Sequence, residues 1–244
     1  MCHSPRAVVR LVAGLAIAAS LVAPAKAAVT IMGTRLVYPA GEREISVRFS
    51  NDGEQPALMQ IWVDRGDPKV QAQDADAPFV STPPIFRLDP RKGQTVRLAF
   101  VGEKLPGDRE TLFWFNALEI PPMPALAERS YLQVAVRSRL KLFYRPAGLP
   151  GAAASAATQL RWGLVDEGGL RHLRVVNPTP YHVSLSALRL SQGGRDHELR
   201  AQMIAPFAQR DFDLSSRVRR GPARLSFRWI SDFGAATDEH VQLP

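Results

Sequence analysis

The stretch Leu132-Gln133-Val134-Ala135-Val136-Arg137-Ser138-Arg139-Leu140-Lys141-Leu142-Phe143-Tyr144 runs for thirteen residues without glycine or proline. Its aliphatic residues alternate with other residues, which is typical of a β-strand with one apolar face; they are Leu132, Val134, Val136, Leu140 and Leu142. Because an average strand has about 5–6 residues, this stretch predicts an unusually long strand. Its apolar face could cover the core of its own domain or, from an open sheet edge, fill a groove in another protein. Periodicity alone favours the core.

Shorter strand patterns precede this stretch and are separated by turn signals. Residues 44–50 and 95–100 alternate polar and apolar side chains, whereas 57–63 and 111–120 are richer in apolar and aromatic residues. The turn signals include Asn51-Asp52-Gly53, Gly66-Asp67-Pro68 and Leu105-Pro106-Gly107-Asp108. Short strands at this spacing predict an antiparallel sandwich.

A second group of strand patterns follows a change in composition at residues 147–157, which are mostly alanine and glycine. The alanines permit a short helix, but the glycines and Pro150 favour a linker. The clearest later strands are residues 170–176, 183–190, 210–214 and 224–230. We therefore predict an all-β chain with two sandwich domains, domain one (28–148) and domain two (149–244).

The first 27 residues have the pattern of an export signal. Arg6 and Arg10 precede the uncharged apolar run 11–23, and Ala25-Lys26-Ala27 provides a cleavage site between small residues. The apolar run is shorter than the roughly 20 residues that span a membrane, so cleavage after Ala27 is favoured over a retained anchor. Cleavage leaves 217 residues and predicts an exported protein.

Charge and cysteine content exclude several classes of function. The full chain has 31 basic and 23 acidic side chains, and removal of the signal leaves a net charge of +5. The arginines are scattered and no nucleic-acid motif is present, which favours a solvated basic surface over nucleic-acid binding. The single cysteine, Cys2, lies in the signal, so the exported chain has no disulfide, thiolate nucleophile or cysteine-based zinc site.

No motif of catalysis or cofactor binding is recognisable. The five histidines lack metal-ligand spacing, and the sequence has no Gly-x-Ser-x-Gly elbow and no glycine-rich phosphate loop. A Ser-His-Asp triad from distant residues stays open, but His172 in a strand and His182 after a Pro-Tyr turn favour structural roles. We expect a non-enzyme without cofactor, metal or small-molecule substrate.

Six segments, in order, give the chain a specific resemblance. They are residues 34–39, 81–90, 108–122, Leu140-Lys141-Leu142-Phe143-Tyr144-Arg145-Pro146, Asn177-Pro178-Thr179-Pro180-Tyr181 and Ile230-Ser231-Asp232-Phe233-Gly234. Together they resemble the periplasmic pilus chaperones of chaperone–usher systems. The resemblance implies two immunoglobulin-like domains set at an angle around a cleft. It also implies binding of pilus subunits by donor-strand complementation and their delivery to an outer-membrane usher, which would be the only contact with a membrane.

The resemblance also assigns roles to particular residues. Arg35 and Lys141 match two cleft cations that anchor the C-terminal carboxylate of the subunit, for which charge-assisted donors are suited. The donated side chains match Leu132, Val134 and Val136, which reverses the preference for the core. An inter-domain charge cluster matches Glu110, Arg145 and Asp232. Without the resemblance, the ionic residues would be interpreted as surface charges that contribute little.

Two departures from the family pattern concern domain two. Many members carry a cysteine pair there, and many have Asp-Tyr-Gly-Gly where this chain has Asp232-Phe233-Gly234-Ala235. The connection 123–131 is short and has no flanking cysteine, which is similar to the short-loop subfamily associated with rod-like pili. The sequence leaves the cis or trans state of Pro83 and Pro84 open. The alternative function is a secreted two-domain module that binds another ligand through its loops.

Overall fold

The computed structural model describes residues 29–123, 133–167, 170–214, 218 and 221–244, and its strands form two β-sandwiches. The predicted signal, residues 1–27, lies outside the described residues. Domain one contains nine described strands: β1 (Val29–Ile31), β2 (Arg35–Pro39), β3 (Ile45–Asn51), β4 (Ala57–Asp64), β5 (Phe79–Thr82), β6 (Ile85–Leu88), β7 (Gly93–Phe100), β8 (Thr111–Ile120) and β9 (Val136–Arg145). The all-β prediction is confirmed for these ranges.

Domain one packs a four-stranded sheet, in the order β1-β3-β7-β5, against a five-stranded sheet, in the order β2-β9-β8-β4-β6. Neighbouring strands are antiparallel except for β2 and β9, which run parallel with Arg35 opposite Lys141. The alternation of each strand points one set of side chains into a shared core. That core includes Val96, Phe115 and Leu142, which are fully buried and contribute about 1.5–3 kcal/mol each.

Domain two contains eight described strands: β10 (Arg161–Glu167), β11 (Leu170–Val176), β12 (Val183–Gln192), β13 (Arg195–Leu199), β14 (Met203–Ile204), β15 (Gln209–Asp213), β16 (Ala223–Ile230) and β17 (Ala236–Leu243). One sheet has the order β10-β11-β15, and the other has the order β13-β12-β16-β17 with β14 paired to β12. Leu173, Leu188 and Leu225 are among the fully buried core residues. Both domains are immunoglobulin-like sandwiches.

The long strand predicted for residues 132–144 is shorter in the structure. β9 begins at Val136, opposite Glu119 near the end of β8, and Gln133, Val134 and Ala135 are not in a strand. The physical reason is that β8 ends at Ile120 before two prolines, which lack backbone N–H groups, so no partner strand continues alongside. Leu132 lies outside the described residues, as does most of the connection on which the short-loop prediction rests.

The prediction of a linker at residues 147–157 was wrong in part. Short 3-10 turns form at Ala153–Ser155 and Ala157–Gln159. Ala156 and Ala157 are buried in the core of domain two, with Leu149 packed against it. Alanine side chains are small enough to let this backbone approach the sheets closely, so the segment belongs to domain two. Elsewhere, the Thr82–Pro83 peptide bond is cis.

Candidate functional site

The parallel pairing of β2 and β9 places two cations side by side at the junction of the domains. Arg35 and Lys141 are directly opposite in register. Each is also held by a group of domain two: Arg35 Nη1 donates to the Ile230 carbonyl oxygen at 2.9 Å, and Lys141 Nζ donates to Ser184 Oγ at 3.1 Å. The predicted pair of cleft cations is therefore brought together, with domain two supplying a contact to each member.

The surroundings of the two cations oppose their charge. Burial lowers the pKa of Lys141, and the neighbouring charge of Arg35 lowers it further. Burial also lowers the pKa of Arg35, partly offset by the charge of Asp232. Arg35 Nε is buried and has no hydrogen-bond partner among the described residues. Two partly desolvated cations with an unused donor form a site suited to an anion.

Arg145, at the end of β9, joins the two domains through two carboxylates. Its Nε donates to Glu110 Oε1 at 2.8 Å, and its Nη1 and Nη2 donate to the two Asp232 carboxylate oxygens at 2.8 and 3.1 Å. Burial opposes the positive charge, but the hydrogen bonds and charges of Asp232 and Glu110 outweigh it and raise the pKa of Arg145. The structure thus brings the three predicted cluster residues together at the junction of the two domains, which we call the hinge.

His182 is a fourth member of this cluster that sequence reasoning left as a generic structural residue. Its backbone N–H donates to Glu110 Oε2 at 2.7 Å, and its Nδ1 lies 3.1 Å from the same oxygen. Its ring lies over Phe143, with centroids 5.3 Å apart. Glu110 also donates its backbone N–H to the Pro180 carbonyl at 3.0 Å, so backbone and side-chain contacts both join the two domains here.

The turn between β16 and β17 contributes a close contact to the same junction. Gly234 has a φ of +83°, and a Cβ added there would lie 2.7 Å from Thr34 Oγ1. Glycine allows this left-handed conformation and the close approach to the residue before β2. The turn that carries Asp232 is therefore seated directly on domain one.

The N-terminal half of β9 is an open sheet edge. β2 pairs only with residues 141–145, which we call the closed half, whereas residues 136–140, the open half, have β8 on one side and no described strand on the other. Val134 and Val136 continue the parity of buried Leu140 and Leu142, yet they are 59% and 46% exposed. The edge therefore presents unpaired backbone groups beside exposed apolar side chains.

Ser184, the Ile230 carbonyl and His182 were not predicted as part of the site. Nothing in the local sequence distinguishes Ser184 from other strand serines, and a carbonyl group carries no residue signal. These contacts depend on how the two domains pack. In the described residues, no group of His, Cys, Asp and Glu could hold a metal ion, and no helix is long and apolar enough to cross a membrane.

Comparison with known proteins identifies the class. Residues 28–150 match the family "Pili and flagellar-assembly chaperone, PapD N-terminal domain", and residues 155–241 match "Pili assembly chaperone PapD, C-terminal domain". The chain belongs to this family of pilus-assembly chaperones, as the resemblance predicted. The family is not an enzyme class, and the matches do not favour the alternative of a loop-based binding module.

Individual relatives agree along most of their length. The probable fimbrial chaperone YadV of Escherichia coli is 40% identical over 220 residues, 88% of this chain and 89% of YadV. The chaperone FimB/FhaD of Bordetella pertussis is 42% identical over 229 residues, 92% of this chain and 91% of that protein. The YadV crystal structure superposes with a TM-score of 0.76, covering 89% of this chain and all of the YadV chain.

A further solved structure shows a relative with a partner. The SafB chaperone of Salmonella enterica, solved in complex with the SafA pilin, is 29% identical with a TM-score of 0.73. The alignment covers 90% of this chain and 98% of the matched chain.

Proposed function

We propose that this protein is a chaperone that captures pilus subunits in the periplasm and delivers them to an outer-membrane usher. The observation that carries the proposal is the juxtaposition on β9 of an open, apolar half with a closed half that holds a cation pair. One strand thus offers backbone pairing, apolar side chains and an anion site in sequence. This combination suits a polypeptide whose C-terminal segment pairs along the edge and ends in a carboxylate.

The open half and the residues directly before it supply the donated strand. A subunit sandwich that lacks its last strand exposes a groove and unpaired backbone groups. The free N–H and C=O groups of residues 136–140 complete its sheet, and the side chains of Leu132, Val134 and Val136 enter the groove. The exposure of Val134 and Val136 supports this role, because side chains committed to the core of domain one would be buried.

The cation pair fixes the register of the bound subunit. Arg35 and Lys141 receive its C-terminal carboxylate, whose charge compensates the burial of both cations. The Ile230 carbonyl and Ser184 hold the two side chains in place. Because these holders belong to domain two, the cluster of Glu110, Arg145 and Asp232 supports the site indirectly by fixing the hinge.

Export precedes this activity. Fimbrial chaperones of this family are periplasmic, and the family match begins at residue 28, directly after the small-residue cleavage pattern. We expect cleavage after Ala27, and the mass of the protein isolated from periplasmic extracts tests it. A chain that retains residues 1–27 would contradict the assignment.

The test of the proposed function is co-expression with a pilus subunit from the same genome. The wild-type protein raises the yield of soluble subunit and copurifies with it at equal stoichiometry. Arg35→Ala loses the subunit, since removing one partner of a buried charged contact costs about 2–5 kcal/mol. Arg43→Ala, at an exposed position between β2 and β3, is the matched control and retains capture. Full recovery with Arg35→Ala, or no capture by the wild type, would refute the proposal.

A further inference from the structure

A polar cluster lies on the outer face of the five-stranded sheet, beside the open half of β9. Asp64 at the end of β4 and Asn116 on β8 are both fully buried although they are polar. Arg139 Nη2 donates to both Asp64 carboxylate oxygens, at 2.7 and 3.0 Å, and its Nε donates to Asn116 Oδ1 at 3.0 Å. A buried carboxylate needs such charged partners to offset its desolvation.

Arg137 completes the cluster from the same strand. Its Nη2 donates to Asp64 Oδ2 at 3.2 Å and to Asn116 Oδ1 at 2.8 Å, while its Nη1 donates to the Pro68 carbonyl at 2.8 Å. Asn116 Nδ2 donates to Asp64 Oδ2 at 2.8 Å. The amide and the carboxylate therefore accept hydrogen bonds from both arginines at once.

Two tryptophans support the guanidinium groups. The Arg137 guanidinium carbon lies 4.6 Å from the centre of the Trp62 ring, and that of Arg139 lies 4.7 Å from the centre of the Trp114 ring. Trp62 belongs to β4 and Trp114 to β8. Each arginine is thus restrained by an aromatic face and by fixed acceptors, a geometry that favours arginine over lysine.

The cluster connects strands that do not touch in the sheet. β9 pairs with β8, and β8 pairs with β4, so β8 lies between Asp64 on β4 and the two arginines on β9. Within β9, both arginines lie in the open half, where the backbone has a neighbour on one side only. Their side chains add an attachment for a segment that is otherwise held by the ladder with β8 and by Leu140, which is buried in the core.

We propose that Asp64, Asn116, Arg137 and Arg139 form a positioning cluster that holds the open half of β9 extended and ready to pair with an incoming subunit strand. The inference rests on the proposed function. Ordering a strand at the moment of binding costs conformational entropy, and a strand that is ordered beforehand avoids that cost. The cluster acts through the backbone it holds, and its residues do not touch the subunit carboxylate.

The test combines hydrogen exchange with capture by a graded series at one position. Arg139→Met keeps an unbranched stem but loses every polar contact, and Arg139→Lys keeps the charge but loses the two-point contact with Asp64. We expect amide exchange of residues 136–140 to accelerate about tenfold in Arg139→Met and less in Arg139→Lys, with residues 141–145 unchanged. Affinity for a pilin subunit from the same genome falls in the same order, by about tenfold for Arg139→Met.

Matched variants separate the possible outcomes. Arg189→Met removes an exposed arginine that pairs with Glu198 on a strand of domain two and changes neither quantity. If Arg139→Met unfolds domain one, Arg137→Met, which leaves the Arg139–Asp64 contact intact, replaces it in both measurements. Faster exchange with unchanged affinity, or unchanged exchange, would overturn the positioning role. Failure of the wild type to capture any subunit would overturn the proposed function instead, and the exchange data would still report whether the cluster orders the strand.

Discussion

The two halves of β9 have a similar alternation of side chains but different surroundings. The closed half, residues 141–145, lies between β2 and β8 and contacts domain two through Lys141 and Arg145. The open half, residues 136–140, pairs with β8 alone; Val136, its first residue, and Val134, two residues before it, are exposed. Alternation of side chains therefore specifies a strand, but it does not decide whether the apolar face of that strand is buried or exposed.

The largest expected effect is at Val134, two residues before the open half. Val134→Asp leaves the free protein folded, because the side chain is already 59% exposed. Capture of a subunit is lost, since the carboxylate would enter an apolar groove without a partner at a cost of several kcal/mol, on the order of 2–7. Thermal unfolding of the free variant and its affinity for a subunit, measured in parallel, test these two expectations.

Ala135→Asp is the matched control for that change. It introduces the same charge one residue later, on the opposite parity and also at an exposed position. We expect it to retain capture. Equal loss of capture in both variants would mean that charge rather than side-chain parity governs binding. Unfolding of Val134→Asp would show that Val134 contributes to the core of domain one.

The next effect concerns the closed half and its hinge contact. Arg145→Ala leaves Glu110 buried without its main charged partner and frees Asp232. We expect a loss of about 2–3 kcal/mol in the free energy of unfolding, below the value for a fully buried pair because Asp232 is one-third exposed. The scattering profile in solution should also change. An unaltered melting temperature together with an unaltered profile would contradict the hinge role.

A substitution at Lys141 is expected to change stability by less, and to raise it rather than lower it. Lys141→Met removes a charge that is partly desolvated beside Arg35, so the free protein should melt on the order of 2 °C higher, although capture is lost. Lys104→Ala, at an exposed position of domain one, should change neither. A clear fall in the melting temperature of Lys141→Met would show that the closed half needs this cation for its own stability.

The smallest effect is the pH dependence of capture. Because burial and Arg35 lower the pKa of Lys141 below 10.5, the side chain loses its proton earlier than a free lysine as the pH rises. Subunit affinity should therefore fall as the pH rises from the lowered pKa of Lys141 towards 10.5. Over the same range the free protein should become more stable, because the desolvated charge is lost. Titration calorimetry across this range, with Arg35→Lys as a comparison, measures the midpoint. Affinity that stays constant up to pH 10.5 would contradict a charged Lys141 in the site.

The sequence predicted the fold well where local periodicity and turn residues decide it. Residues 111–120 and 170–176 are strands β8 and β11 with the predicted bounds. The start of β9 could not be placed, because it depends on where β8 stops. The alanine-rich segment was misread since its burial comes from sheets that lie elsewhere in the sequence. Composition alone could not reveal that contact.

The site could be predicted in part, and the missing part has a common cause. Arg35 and Lys141 stand in recognisable motifs, whereas Ser184 acts only because domain two brings it to Lys141. Of the positioning cluster, the one usable signal was the row of cations on alternate residues of β9, at Arg137, Arg139 and Lys141. Their acceptor Asp64 is distant in sequence and belongs to a strand that is not their neighbour.

The contact between Gly234 and Thr34 makes the junction sensitive to a single atom. A methyl group on Gly234 would lie 2.7 Å from Thr34 Oγ1, so either the Thr34 side chain rotates or the turn moves away from domain one. A movement of this turn would take place at the junction of the two domains. A small rotation at the junction moves the far end of a domain by a larger distance. The size of the side chain at this turn therefore limits how closely the turn can approach domain one.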